Sequence, residues 1–205
     1  MEQLRPWIGK APVVEPPHID GYRLVRGEQL NILRASVLGI LLIPVWWVVY
    51  VGAVSLIGGD TLTSATISIP DFIVAISLTF LLIVVHELLH GVGVLLTGNR
   101  PAFGIGPGFA YTTCHAPLSR NGYILVVILP LLVINLGAIA AGAIWSGALG
   151  WMLFLSLINT MGAGGDIWML VRLRRVPSTA LIVDLASGFA VYLPDQATTA
   201  SGIEP

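Results

Sequence analysis

The sequence predicts an all-α polytopic membrane protein of about four transmembrane helices, with a small β-like cytoplasmic loop between the second and third. Three observations carry this. Of the 205 residues 56% are hydrophobic and only 10% are charged, where a soluble domain carries about 25% charged residues. Four apolar stretches reach the length of about 20 residues that a helix needs to cross a bilayer. All ten Lys and Arg fall outside those stretches, in three segments of the chain. So few charges cannot cover a water-facing surface, so lipid must cover part of it.

The N-terminal segment, 1–34, holds nine charges and no long apolar run, so no cleavable leader is expected there. The first span is expected at 35–57 and includes Pro44. Gly58-Gly59-Asp60 reads as a turn, and the second span follows at 72–97. The loop from Gly98 to Gly122 is rich in glycine and aromatics. Within it Phe109–Thr113 has strand character, and its glycines predict bends or a hairpin. The third span, 123–145, includes Pro130; a membrane helix tolerates such a proline when neighbours satisfy the freed backbone groups. Ser146-Gly147 separates it from the fourth span at 151–171. In the tail, 180–183 and 189–193 have strand character, while 195–205 are small and polar and are expected to lack order. The reading gives three parts: an N-terminal segment at 1–34, a four-helix core at 35–176 and a tail at 177–205.

The basic residues set the orientation. Arg5, Lys10, Arg23, Arg26 and Arg34 precede the first span. Arg100 and Arg120 lie between the second and third, and Arg172, Arg174 and Arg175 follow the fourth. The loops at 58–71 and 146–150 have none. By the positive-inside rule both termini and the 98–122 loop are cytoplasmic. A net charge of −1 suggests no nucleic-acid partner. A single cysteine, Cys114, excludes an internal disulfide.

Chemistry concentrates in the second span, which contains His86-Glu87-Leu88-Leu89-His90. On a helix, positions i and i+4 share a face, so both imidazoles can reach one metal ion. Zinc suits nitrogen ligands and leaves a position open for water, and Glu87 can then act as general base. A catalytic zinc needs a third protein ligand. Asp166 is the only other acidic residue inside an expected span. At 1.5 Å per residue, His86 lies roughly 21 Å and Asp166 roughly 22 Å along spans that start on the same side, so their depths match. Asn159 stands two turns before Asp166 on the same face. It is a candidate to hydrogen-bond a substrate carbonyl or oxyanion, or to bond to another helix. Gly162, Gly164 and Gly165 allow close helix approach or local unwinding beside the site. His115 is a weaker ligand candidate in the cytoplasmic loop, and His18 is assigned no role. Cys114 lacks an orienting partner for thiol catalysis. The competing reading is helix packing, with the histidines bonded to backbone carbonyls and Asp166 paired with Arg172 or Arg174.

An HExxH motif in one transmembrane helix with a later Gly-Asp in another resembles the site-2 protease class of intramembrane metalloproteases. More closely, the chain resembles the zincin membrane peptidases. His86 to His90, the Phe-Gly and Tyr-containing loop at 103–111, Pro117 to Arg120 and Asn159 through Asp166 carry the resemblance, over roughly residues 72 to 185. It implies zinc held by His86, His90 and Asp166, with Glu87 as the base. It also implies cleavage of membrane-embedded or membrane-proximal peptide bonds. One departure stands out: site-2 proteases carry Asn-x-x-Pro and then Leu-Asp-Gly. This chain has no proline after Asn159, and Ile167 follows Asp166.

The expected function is therefore intramembrane zinc-dependent peptide hydrolysis near the cytoplasmic face. The expected partners are a membrane protein or peptide substrate and the bilayer, with self-association left open. Two other classes remain at this point: a non-catalytic metal-binding or scaffold protein, and a transporter using the same polar residues as an ion path. An intact Glu87 speaks against the first, and the lack of internal repeats against the second.

Overall fold

Caps decide where the apolar stretches begin as helices. In the computed structural model, which describes residues 15–57, 68–106, 109–185 and 188–195, helix α1 spans Ile32–Leu56. Asn31 caps it by accepting a hydrogen bond from the Arg34 N–H at 3.0 Å, which satisfies a donor that helix geometry leaves free. Helix α2, Ile69–Leu96, opens on a reciprocal box. The Asp71 carboxylate accepts from the Ser68 N–H and hydroxyl at 2.8 and 2.6 Å, and the Ser68 hydroxyl accepts from the Asp71 N–H at 3.4 Å. Both helices therefore start about a turn before the expected spans. Helix α3 spans Arg120–Ile144. These three are long and apolar enough to cross a membrane, judged by length and composition. Leu41, Val48, Phe72 and Phe80 stand exposed on α1 and α2, a surface suited to lipid rather than water.

The fourth apolar stretch differs from the single helix expected. It forms α4, Leu149–Gly162, and α5, Gly164–Leu173, and with the 3₁₀ turn Ser146–Ala148 in front of α4 the two are bent by 52° at Ala163. Pro44 and Pro130, by contrast, sit inside unbroken helices. A proline costs one backbone bond, whereas Gly162, Gly164 and Gly165 all lower the cost of leaving helical geometry.

The strands are β1 (Tyr22–Gln29), β2 (Ala102–Gly106), β3 (Phe109–Thr113), β4 (Leu118–Ser119), β5 (Leu181–Leu185) and β6 (Gly188–Pro194). The chain is thus mostly helical but includes a real sheet, beyond the β-like loop expected. That sheet is antiparallel, in the order β1-β6-β5-β4, and β2 pairs with β3 as a separate hairpin. The strands expected near 109–113, 180–183 and 189–193 correspond to β3, β5 and β6. The expected turn at Gly58-Gly59-Asp60, residues 107–108 of the glycine-rich loop and residues from 196 onward lie outside the described residues.

Two units emerge. The first comprises Met1–Leu30, His90–Val127 and Met169–Pro205; the second comprises Asn31–Leu89 and Ile128–Trp168. In the first, Val183, Ala190 and Tyr192 form a core against Ile19, Tyr22, Leu181 and Leu185. The Tyr192 hydroxyl donates to the Pro17 carbonyl at 2.6 Å, and the Tyr123 hydroxyl donates to Asp184 at 2.8 Å. In the second, Tyr50, Val54, Ala138, Ile139, Leu149 and Leu153 pack together. The Trp46 indole N–H donates to the Ser156 hydroxyl at 3.1 Å. Gly142 lies where any Cβ would meet the Tyr50 hydroxyl.

Candidate metal centre

Helix α2 carries His86, Glu87 and His90, and the 3.6-residue repeat puts the two imidazoles on one face. Asp166 stands in the first turn of α5, where the helix dipole favours a negative charge. His86, His90 and Asp166 each offer a ligand atom, and these atoms lie within 4.8 Å of one another. His86 Nε2 is 3.1 Å from Asp166 Oδ2. Two ligands at about 2.1 Å from one tetrahedral zinc stand about 3.4 Å apart, so the donor set and spacing fit such an ion. His90 and Asp166 are buried; His86 and Glu87 are half-buried.

The break at Ala163 explains how Asp166 comes to stand there. The Ala163 N–H closes α4 on the Asn159 carbonyl at 2.9 Å, and the Ala163 carbonyl accepts from the Ile167 N–H at 3.0 Å to start α5. Helix α1 packs on this corner backbone to backbone. A Cβ on Gly39 would collide with the Met161 carbonyl, and one on Gly164 with the Ala35 carbonyl. Of the two roles open to these glycines, the structure uses both: Gly164 permits close approach, and its neighbours permit the break.

Both histidines are held at their other ring nitrogen. His90 Nδ1 lies 2.8 Å from the Val126 carbonyl. A carbonyl only accepts, so Nδ1 carries the proton and Nε2 keeps its lone pair for a ligand. Val126 has a carbonyl to offer because its helical partner would be the N–H of residue 130, and Pro130 has none. Gly93 lets the helices approach here, since a Cβ on it would press on Val126 Cα at 2.8 Å. Such contacts orient metal-binding histidines generally.

His86 Nδ1 lies 2.9 Å from Asn159 Oδ1. Asn159 Nδ2 donates to Asn135 Oδ1 at 3.1 Å, and Asn135 Nδ2 donates to the Thr160 hydroxyl at 3.0 Å. Asn135, Asn159 and Thr160 are 1%, 2% and 3% exposed, so no water competes for these groups. The sequence-based candidate Asn159 thus stands beside the cluster with its amide engaged by His86 and Asn135.

The remaining candidates lie elsewhere. His115 is exposed and outside the cluster, and His18 is exposed beside Asp20 at 3.3 Å. Cys114 is buried, and burial raises its thiol pKa, helped by the charge of Asp184. Arg172 Nε faces Glu28 at 3.9 Å. Sequence reasoning passed over Asn135 and Thr160. The signal for Asn135 was present, since an amide inside an apolar run must find a hydrogen-bond partner on another helix. Thr160 gave none, because a helical threonine can bond within its own helix.

No curated protein and no solved structure matches the chain. Residues 79–181, half of its length, match the family described as "Putative zincin peptidase". That span holds the HExxH motif, α3, and α5 with Asp166. The chain belongs to this zincin peptidase family.

Proposed function

We propose that the protein is an intramembrane zinc metallopeptidase, akin to the site-2 protease class, that cleaves membrane-embedded or membrane-proximal peptides near the cytoplasmic face. The observation that carries this reading is the meeting of His86, His90 and Asp166 within 4.8 Å, next to Glu87 on the same helix. His86, His90 and Asp166 would hold the ion. Zinc, when bound, supplies Lewis acidity that polarises a carbonyl and acidifies water. Glu87 takes a proton from water and returns it to the departing amine. The bent pair α4 and α5 counts as the fourth span, and the distribution of Lys and Arg puts both termini and the 98–122 loop on the cytoplasmic side.

The test is metal content and proteolysis on the purified full chain, beside His86→Ala, Asp166→Asn and Glu87→Gln. One zinc per chain in the wild type, lost in the first two variants and kept in the third, is expected, with cleavage of a transmembrane peptide lost in all three. A wild type that takes up no zinc sinks the proposal. Retained cleavage in Glu87→Gln sinks the role given to Glu87.

A further inference from the structure

Resting on that reading, we infer that Asn159, Asn135 and Thr160 are positioning residues that hold His86 with Nε2 toward the metal by giving its Nδ1–H a buried acceptor. The argument starts from the amide itself. An Asn side chain has one accepting end and one donating end, and by itself it can turn over to suit either tautomer of a histidine. Asn159 is not by itself. Its Nδ2 is committed to Asn135 Oδ1 at 3.1 Å, and the Nδ2 of Asn135 is committed to the Thr160 hydroxyl at 3.0 Å. In that arrangement Asn159 presents Oδ1 to His86 Nδ1 at 2.9 Å. An oxygen there requires a proton on Nδ1, which leaves Nε2 as the donor atom, and Nε2 is the atom that faces Asp166 at 3.1 Å.

Burial gives the chain its grip. All three residues are at most 3% exposed, so reversing one amide alone would set N–H against N–H with no water to repair it. The Thr160 hydroxyl both donates and accepts, so the two amides reverse only together, and a metal on Nε2, which needs the proton on Nδ1, would select the orientation seen. The three residues come from α3 and α4, while His86 is on α2 and Asp166 on α5. The relay thus ties the ring to two helices that do not carry it. His90 obtains the same result from one backbone carbonyl, so both histidines point the same kind of nitrogen at the site by different means.

The experiment measures zinc dissociation by chelator competition on the full chain in nanodiscs, with ring ¹⁵N spectra of labelled histidine. Four proteins are compared: wild type, Asn159→Leu, Asn159→Asp and Asn135→Leu. Loss of an outer contact to a metal-bound histidine costs about 10- to 100-fold in metal affinity. That loss is expected in Asn159→Leu and, because the freed amide of Asn159 can then turn over, in Asn135→Leu. Asn159→Asp is expected to hold zinc within a few-fold of the wild type, since a carboxylate only accepts. Asn135 can turn to donate to it while accepting from the Thr160 hydroxyl. The His86 spectrum should show a protonated Nδ1 in the wild type and in Asn159→Asp. Wild-type zinc affinity in both leucine variants overturns the inference and leaves the metallopeptidase reading standing. So does an Asn159→Asp protein that elutes as the wild type does but binds zinc as weakly as Asn159→Leu. A wild type that binds no zinc overturns both.

Discussion

At the scale of single residues, Glu87 and Cys114 make opposite demands. Glu87→Gln keeps the shape of the side chain and removes the proton acceptor. Peptide hydrolysis should fall about 10²- to 10⁴-fold, the usual contribution of a general base, with zinc content unchanged by atomic absorption. Cys114 takes no part in the proposed reaction. Its folded thiol pKa is raised from the usual 9.0, mainly by burial, so the folded state holds this proton harder than the unfolded chain does. The stabilisation is full below pH 9.0 and is lost as pH rises through the raised folded value. Melting curves taken between about pH 8 and pH 10.5 should therefore fall more steeply for the wild type than for Cys114→Ala. The candidate ligands were legible because HExxH is a spacing, and because Asp166 is a lone acid in an apolar stretch. Asn135 was harder, since a polar residue in such a stretch announces that it has a partner and not which one.

Among the elements, α3 and the α4–α5 corner do most to place the site. Pro130 leaves the Val126 carbonyl for His90, so Pro130→Ala returns that carbonyl to its own helix as a competing bond. Zinc affinity should drop, by less than the roughly 10- to 100-fold cost of losing an outer contact altogether, while α3 stays helical by circular dichroism. Gly39→Ala forces α1 off the Met161 carbonyl. Overpacking of this kind costs about 1–3 kcal/mol and should show as a lower denaturation midpoint in detergent. The long helices α1, α2 and α3 were readable from hydropathy alone, because their composition leaves no other structure possible. The bend at Ala163 was half readable. Three glycines signalled either unwinding or close packing, and only the partner backbone of α1 shows that both occur.

For the whole molecule, the least legible feature was the pairing of β1 with β6, which joins residues 22–29 to 188–194. Nothing local encodes such a contact, and β1 is mostly exposed, so it lacks the alternation that marks a half-buried strand. Orientation is a whole-molecule property too, and it has a direct test. On a Cys114→Ala background, His115→Cys and Ser146→Cys should react with a membrane-impermeant maleimide from opposite sides: His115→Cys only after the cells are opened, Ser146→Cys in intact cells. The reverse pattern would overturn the orientation read from the basic residues.

The glycine contact between α1 and the corner before Asp166 reaches further than packing. Two backbones that touch have no side chains between them to absorb movement. A helix longer or shorter than the hydrocarbon around it answers by tilting, and a tilt of α1 bears directly on the turn that aims the carboxylate, because Gly39 and Ala35 meet it backbone to backbone. The thickness of the surrounding lipid thereby becomes an input to metal retention. In nanodiscs of graded acyl-chain length, zinc off-rates should pass through a minimum where the bilayer matches α1, and a Gly39→Ala protein should have that minimum displaced.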